Sequence, residues 1–243
     1  FSGNAGIAHT RWATHGPPTE RNAHPHTDAS QTVWIVHNGI IENYAELRDA
    51  LTRRGIVFNS DTDTEVLAQL IGMYHTKDIP LEDAVERALK DVRGSYGLAV
   101  MSRREPDKIV VARLGSPLML GVGTNEYYVA SDAAALLPRT RTVVYLDDGE
   151  LVVLTKKGYT VRDVSRQPIT KTVETLEWDA EAAQKGGFEH FMLKEIMEIP
   201  GVIRDTLRGR VTAKSGGVVL GGLRDVAKRL KHIKRIVITG CGS

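Results

Sequence analysis

Five of the eight histidines lie in the first 37 residues, among side chains able to bind or polarise a small polar substrate. The first group falls in residues 8–16. A guanidinium at Arg11, on a loop leaving an extended segment, can grip a carboxylate through two parallel hydrogen bonds, and the Thr14 hydroxyl can add a third. The alternative is an ordinary surface arginine paired with a local acid. The second group is His37-Asn38-Gly39. The Asn38 side-chain amide and the Gly39 backbone N–H make a donor pair suited to an oxyanion, and glycine permits close backbone approach. The alternative is a plain Asn-Gly turn. The third group is residues 60–65, where Asp63 either caps a helix or offers a carboxylate to a substrate ammonium. His24 and His26, with Glu20 and Asp28 nearby, could grip a divalent cation, but no HExxH accompanies them and loop-packing histidines are the alternative. A nucleophilic step needs an activated Cys, Ser or Thr. The one cysteine, Cys241, is remote in sequence and no GxSxG elbow occurs, so a pocket with oxyanion donors stands without a visible nucleophile.

The elements that must position these residues follow from periodicity and turn chemistry. Strands are expected at residues 6–10 and 32–37, separated by a polar loop too long to be a mere connector, with a turn at Asn38-Gly39. Three amphipathic helices are expected next. The first covers residues 42–54 and stops at Gly55; the second starts at Thr62 in a Thr62…Glu65 capping box; the third runs from Pro80 towards Gly94. The period then changes to two, giving short strands at residues 96–102, 108–114, 127–131, 142–146, 150–155 and 159–163, with hairpin turns at Asp148-Gly149 and Lys157-Gly158. Helices followed by antiparallel strands argue an α+β fold, or a layered αββα sandwich, rather than a doubly wound parallel sheet. Beyond Trp178 the pattern shifts: a helix at residues 189–199 that ends or kinks at Pro200, a Gly-rich stretch at 215–222, a basic helix at 223–230 and a strand at 235–239. The expected organisation is a domain over residues 1–178, a linker over 179–189 and a second domain beginning at 190.

Composition narrows the class. The chain has 243 residues, 42% hydrophobic and 26% charged, with a net charge of +2, so disorder and a chain-wide nucleic-acid footprint are excluded. Residues 190–243 carry 11 basic against 4 acidic side chains, leaving 21 against 26 in the remainder. No apolar run reaches the roughly 18 residues of a membrane span, and no leader-like segment opens the chain, so a cytoplasmic protein is expected. The start at Phe1 and the end at Ser243, directly after an apolar run, read as the two ends of a fragment.

Residues 6–16, 22–26, 36–43 and 61–65 together resemble the glutamine:fructose-6-phosphate aminotransferase (isomerizing) family of class II, N-terminal nucleophile, amidotransferases. Residues 93–97, 115–118, 130–132 and 135–138 resemble that family's sheet half, and residues 190–200 its interdomain helix. The resemblance implies a four-layer αββα sandwich, incomplete at its N-terminus, followed by the start of an α/β sugar isomerase domain. It also implies that a cysteine at residue one attacks the glutamine amide, and that ammonia passes to fructose 6-phosphate, giving glucosamine 6-phosphate and glutamate. Position by position, Arg11 resembles the α-carboxylate clamp with Thr14 and His15 beside it, and Trp12 the channel gate. Asn38 and Gly39 resemble the oxyanion hole, Asp63 the α-ammonium partner, and Ser243 the start of a phosphosugar loop. No metal or other cofactor is implied, nor a nucleic-acid or membrane partner, and the parent is expected to be a homodimer. The nucleophilic cysteine is not in the chain, so the fragment alone is expected to be inactive. The alternatives are a phosphoribosyl pyrophosphate type of class II amidotransferase and a non-catalytic binding module.

Overall fold

The computed structural model describes residues 3–11, 16–163, 166–176, 186–207, 211–212, 217–218, 230, 232–235 and 237. Backbone contacts divide the chain into two units, residues 1–177 and 178–243.

The first unit is built on a seven-stranded antiparallel sheet. Its strands are β1 (His26–Thr27), β2 (Val33–Ile41), β3 (Gly94–Ser102), β4 (Glu105–Leu114), β8 (Leu151–Thr155), β9 (Gly158–Arg162) and β10 (Pro168–Ile169), adjacent in that order. A four-stranded antiparallel sheet has the order β11 (Glu174–Thr175), β7 (Thr142–Tyr145), β5 (Met119–Val122), β6 (Tyr127–Ala130). Alternation along the strands decides which layer each face meets. Val33, Ile35 and Ile41 of β2, with Leu98 and Val100 of β3, pack against the three helices α1 (Tyr44–Arg53), α2 (Asp63–Tyr74) and α3 (Leu81–Lys90). Val36, Ala99, Val111, Val152 and Leu154 face the other way, onto Leu118, Leu120 and Val144 beside the second sheet. Helices, sheet and second sheet therefore stack in the expected α+β manner.

Each helix forms for a local reason. Leu51 of α1 is buried, Tyr44 and Leu47 pack beside it, and Gly55 follows at φ +85°, a left-handed stop. The Thr62 hydroxyl caps α2 by accepting from the Glu65 N–H at 3.2 Å, which is half of the expected capping box. The Glu65 carboxylate does not return to the cap. It accepts instead from the Asn59 and Ser60 amides and the Ser60 hydroxyl, tying the preceding loop to the helix. The α3 start is capped from a distance: the Leu81 N–H donates to Glu105 of β4 at 2.6 Å.

Several expectations are corrected. Residues 6–10 enter no sheet; they line a cleft and no ladder partner lies beside them among the described residues. Asn38-Gly39 is not a turn but lies inside β2, opposite Gly97 and Tyr96 of β3. The unbroken pairing from Val33↔Ser102 to Ile41↔Gly94 outweighs the local turn preference. Lys157-Gly158 does close a hairpin, between β8 and β9, whereas Asp148-Gly149 carries the chain from β7 in one sheet to β8 in the other. There the Gly149 N–H donates to the Arg113 carbonyl, so the turn is held by β4 rather than by a paired strand. The short strand β5 has no counterpart among the expected elements. In the second unit, α4 (Phe191–Leu207) continues through Pro200 instead of ending there. Proline removes one hydrogen bond of the ladder, and in a 17-residue helix turns on both sides remain bonded. Beyond it, β12 (Val211–Thr212) pairs with β13 (Gly217–Val218). The expected basic helix lies almost wholly outside the described residues, and the expected linker and the last expected strand do so in large part.

Candidate active site

The two sheets and the segment before β1 enclose a cleft of about 940 Å³. The alternation of β2 aims its residues in turn. His37, on the helix face with Ile35 and Ile41, reaches Thr64 of α2, and Asn38, on the face of Val36, looks between the sheets. Arg11, Asn38, Gly39 and Asp63 all line this one cleft. Trp12, Thr14, His15 and Ser243 lie outside the described residues.

Gly39 has φ +129°, and a Cβ there would stand 2.1 Å from the Ser95 carbonyl oxygen, so no other residue fits without displacing β3. Asp63 is the first residue of α2, not its cap. It is 4% exposed, and its Oδ2 accepts from the Ile41 N–H at 2.9 Å, which pins the end of β2 to the start of the helix. A carboxylate at a helix N-terminus is favoured by the helix dipole. Arg11 adopts φ +51°, rare for a residue with a side chain, and its guanidinium lies against the Gly16 and Pro17 carbonyls at 3.3 and 3.4 Å.

The histidines form a wall that the sequence reading did not anticipate as a unit. His9 Nε2 lies 2.6 Å from Asn38 Oδ1, and the ring of His9 meets that of His24 edge-on at 4.2 Å. His24 Nε2 and His37 Nδ1 both lie 3.1 Å from the Thr64 hydroxyl, and His37 Nε2 faces the Ser95 carbonyl. Burial holds His24 well below its ordinary value of 6.5, at about 3, and the neighbouring His9, His26, His37 and Arg11 push the same way. Burial also lowers His26 and His37, against the opposing charges of Glu65 and Asp63 respectively. The imidazoles of His24, His26 and His37 are thus held neutral. His26 binds the Thr62 hydroxyl at 3.0 Å, and Asp28 is occupied by the Thr32 and Val33 amides, so the suggested cation ligands do not converge. No group of three or more His, Cys, Asp or Glu among the described residues is placed to hold a metal ion. The sequence carried no signal for His9 beyond its place two residues before Arg11.

An asparagine amide, a guanidinium and a buried carboxylate thus line one cleft of a helix-backed double sheet. The fold that carries them is that of a glutamine amidotransferase domain. The family model of that domain matches residues 1–185, and the chain belongs to the family. Curated relatives named glutamine–fructose-6-phosphate aminotransferase [isomerizing] are 54% identical in Chlorobaculum tepidum over 98% of this chain and 48% identical in Symbiobacterium thermophilum over 98%. The chain spans 39% of the length of each of these relatives. Among solved structures, glutamine phosphoribosylpyrophosphate amidotransferase from B. subtilis aligns with TM-score 0.55 and 25% identity, over 66% of this chain and 35% of that one. An allosteric regulatory enzyme of purine biosynthesis aligns with TM-score 0.51 and 26% identity, over 60% of this chain and 32% of that one. Among the described residues, no helix is long and apolar enough to cross a membrane.

Proposed function

We propose that this chain is the glutamine-binding part of a cytoplasmic, homodimeric transferase that takes ammonia from glutamine and passes it to fructose 6-phosphate, giving glucosamine 6-phosphate and glutamate. One observation carries the reading: Asn38 and Gly39 share a single cleft with Arg11 and Asp63. Arg11 binds the glutamine α-carboxylate, aided by Thr14 and His15, and Asp63 binds the α-ammonium. The side-chain amide then lies against Asn38 and Gly39. When a thiol adds to that amide, negative charge develops on its oxygen, and the Asn38 amide N–H and the Gly39 N–H stabilise it. The C–N bond breaks as the nitrogen takes up the thiol's proton, ammonia leaves past Trp12, and water then hydrolyses the thioester to glutamate. One such donor is worth about 3–4 kcal/mol at the transition state.

The described lining holds no cysteine, so in this reading the thiol comes from a polypeptide segment outside these residues. The four-stranded sheet ends at β6, whose residues Tyr127–Ala130 line the cleft. The identity to the fructose 6-phosphate relatives, against 25% to the phosphoribosylpyrophosphate enzyme, favours the former acceptor. Ser243 and the second unit belong to the acceptor side of this reading; neither nucleic acid nor a membrane takes part.

Calorimetry on the 243-residue chain is expected to show glutamine and glutamate binding, lost in Arg11→Ala and Asp63→Asn, with no glutamate release from glutamine. Glutamine turnover by the chain alone, or binding indifferent to both substitutions, defeats the proposal. In the longer protein, Asn38→Ala is expected to lower the glutaminase kcat by about 10²–10³ with little change in KM.

A further inference from the structure

The Arg11 backbone N–H donates to His9 Nδ1 at 2.9 Å. A nitrogen that accepts a hydrogen bond carries no proton, so the ring proton of His9 sits on Nε2. That nitrogen lies 2.6 Å from Asn38, and only the Asn38 Oδ1 can accept from it. The amide of an asparagine has two orientations of nearly equal shape. With the oxygen held by His9, the NH₂ group is turned the other way, and the reverse orientation would set its N–H bonds against the Nε2–H.

The rest of the wall fixes the ring itself. His37 donates from Nε2 to the Ser95 carbonyl at 3.3 Å, which leaves Nδ1 to accept from the Thr64 hydroxyl at 3.1 Å. Thr64 has then used its only proton, so it accepts from His24 Nε2 at 3.1 Å. His24 Nδ1 is left buried without a partner, the one tautomer this chain of bonds allows. The ring so oriented packs edge-on against His9 at 4.2 Å between centroids.

We propose that His9 is a positioning residue: its tautomer, set by the backbone of Arg11, orients the Asn38 amide so that its NH₂ serves as the oxyanion donor. The inference deepens the amidotransferase reading and rests on it for the catalytic consequence, but not for the orientation itself. The residue that clamps the carboxylate thereby sets, through its main chain, the group that stabilises the developing charge.

The test separates the two faces of the ring. His9→Gln keeps a donor at the position of Nε2, His9→Asn keeps an acceptor at the position of Nδ1, and His9→Phe keeps neither. On the ¹⁵N-labelled 243-residue chain, NMR is expected to report His9 as the Nε2–H tautomer. The Asn38 side-chain amide should have a single environment, kept in His9→Gln and lost in the other two variants. In the longer protein, His9→Asn and His9→Phe should lose about 10²-fold in kcat at nearly constant KM for glutamine, with His9→Gln recovering most of it. An Nδ1–H tautomer, or an Asn38 amide indifferent to all three substitutions, overturns the positioning role whatever the activity. A Gln variant no better than the Asn variant in kcat overturns it as well. Absence of glutaminase activity in the unsubstituted longer protein overturns the amidotransferase reading instead and leaves the NMR outcome to decide the orientation.

Discussion

Gly39 concentrates the demands made on a single residue. Its φ of +129° and the 2.1 Å that would separate a Cβ from the Ser95 carbonyl make Gly39→Ala costly twice over, through backbone strain and through displacement of β3. The substitution is expected to lower stability by about 2–4 kcal/mol, read as a drop in the urea midpoint, and to abolish glutamine binding. The neutral histidines give a second prediction at this scale. His24, His26 and His37 have folded values below the 6.5 of an unfolded histidine, so the unfolded chain takes up their protons first as pH falls. Stability is therefore full above about pH 6.5 and declines below it, continuing for His24 towards about pH 3. Each such histidine removes at most about 1.4 kcal/mol per pH unit. Thermal melts between pH 7 and 5 should show the decline, shallower in His24→Gln; a flat profile would contradict the buried neutral wall.

At the scale of elements, the site depends on the junction between β2 and α2. Asp63 holds the end of the strand, Thr62 caps the helix, and Glu65 gathers the donors of residues 59 and 60. Loss of the cap in Thr62→Ala is expected to cost about 1–2 kcal/mol. Glu65→Ala should cost more, about 3 kcal/mol or above, because it leaves the Ser60 amide and hydroxyl buried without their carboxylate acceptor and releases the Asn59 N–H as well. Urea denaturation of the two variants tests the order, and a larger effect at Thr62 would show that capping, not the loop, dominates the junction. The α2 start was legible because Thr62 and Glu65 are spaced for a cap. The destination of the Glu65 carboxylate was not, since it depends on how the loop before the helix closes. Likewise, an Asn-Gly pair signals a turn on its own. Only nine residues of pairing with β3 make it part of a strand.

At the scale of the whole molecule, both hydrophobic clusters found among the described residues lie inside the first unit. Residues 1–177 expressed alone are accordingly expected to unfold in one cooperative step and to bind glutamine as the 243-residue chain does. Calorimetry and circular dichroism decide it, and a non-cooperative melt would show that the division is not one of stability. α4 of the second unit exposes Phe191, Met192, Ile196, Met197, Val202 and Ile203, which sets it apart from the helices of the first unit, whose apolar faces are covered.

The sequence by itself determined the three helices, most of the strands and the types of the polar residues that line the cleft. These rest on local signals: apolar period, caps, and an arginine, an Asn-Gly pair and an aspartate of the right chemistry. Tertiary structure alone decided that Arg11, Asn38, Gly39 and Asp63 share one cleft, that Asn38 looks between the sheets while His37 looks at the helices, and that His9 meets Asn38. The physical reason is distance along the chain. His9 and Asn38 are 29 residues apart and His37 and Ser95 are 58 apart, so their contacts exist only once β2 is paired and the sheets are stacked, which no local pattern encodes.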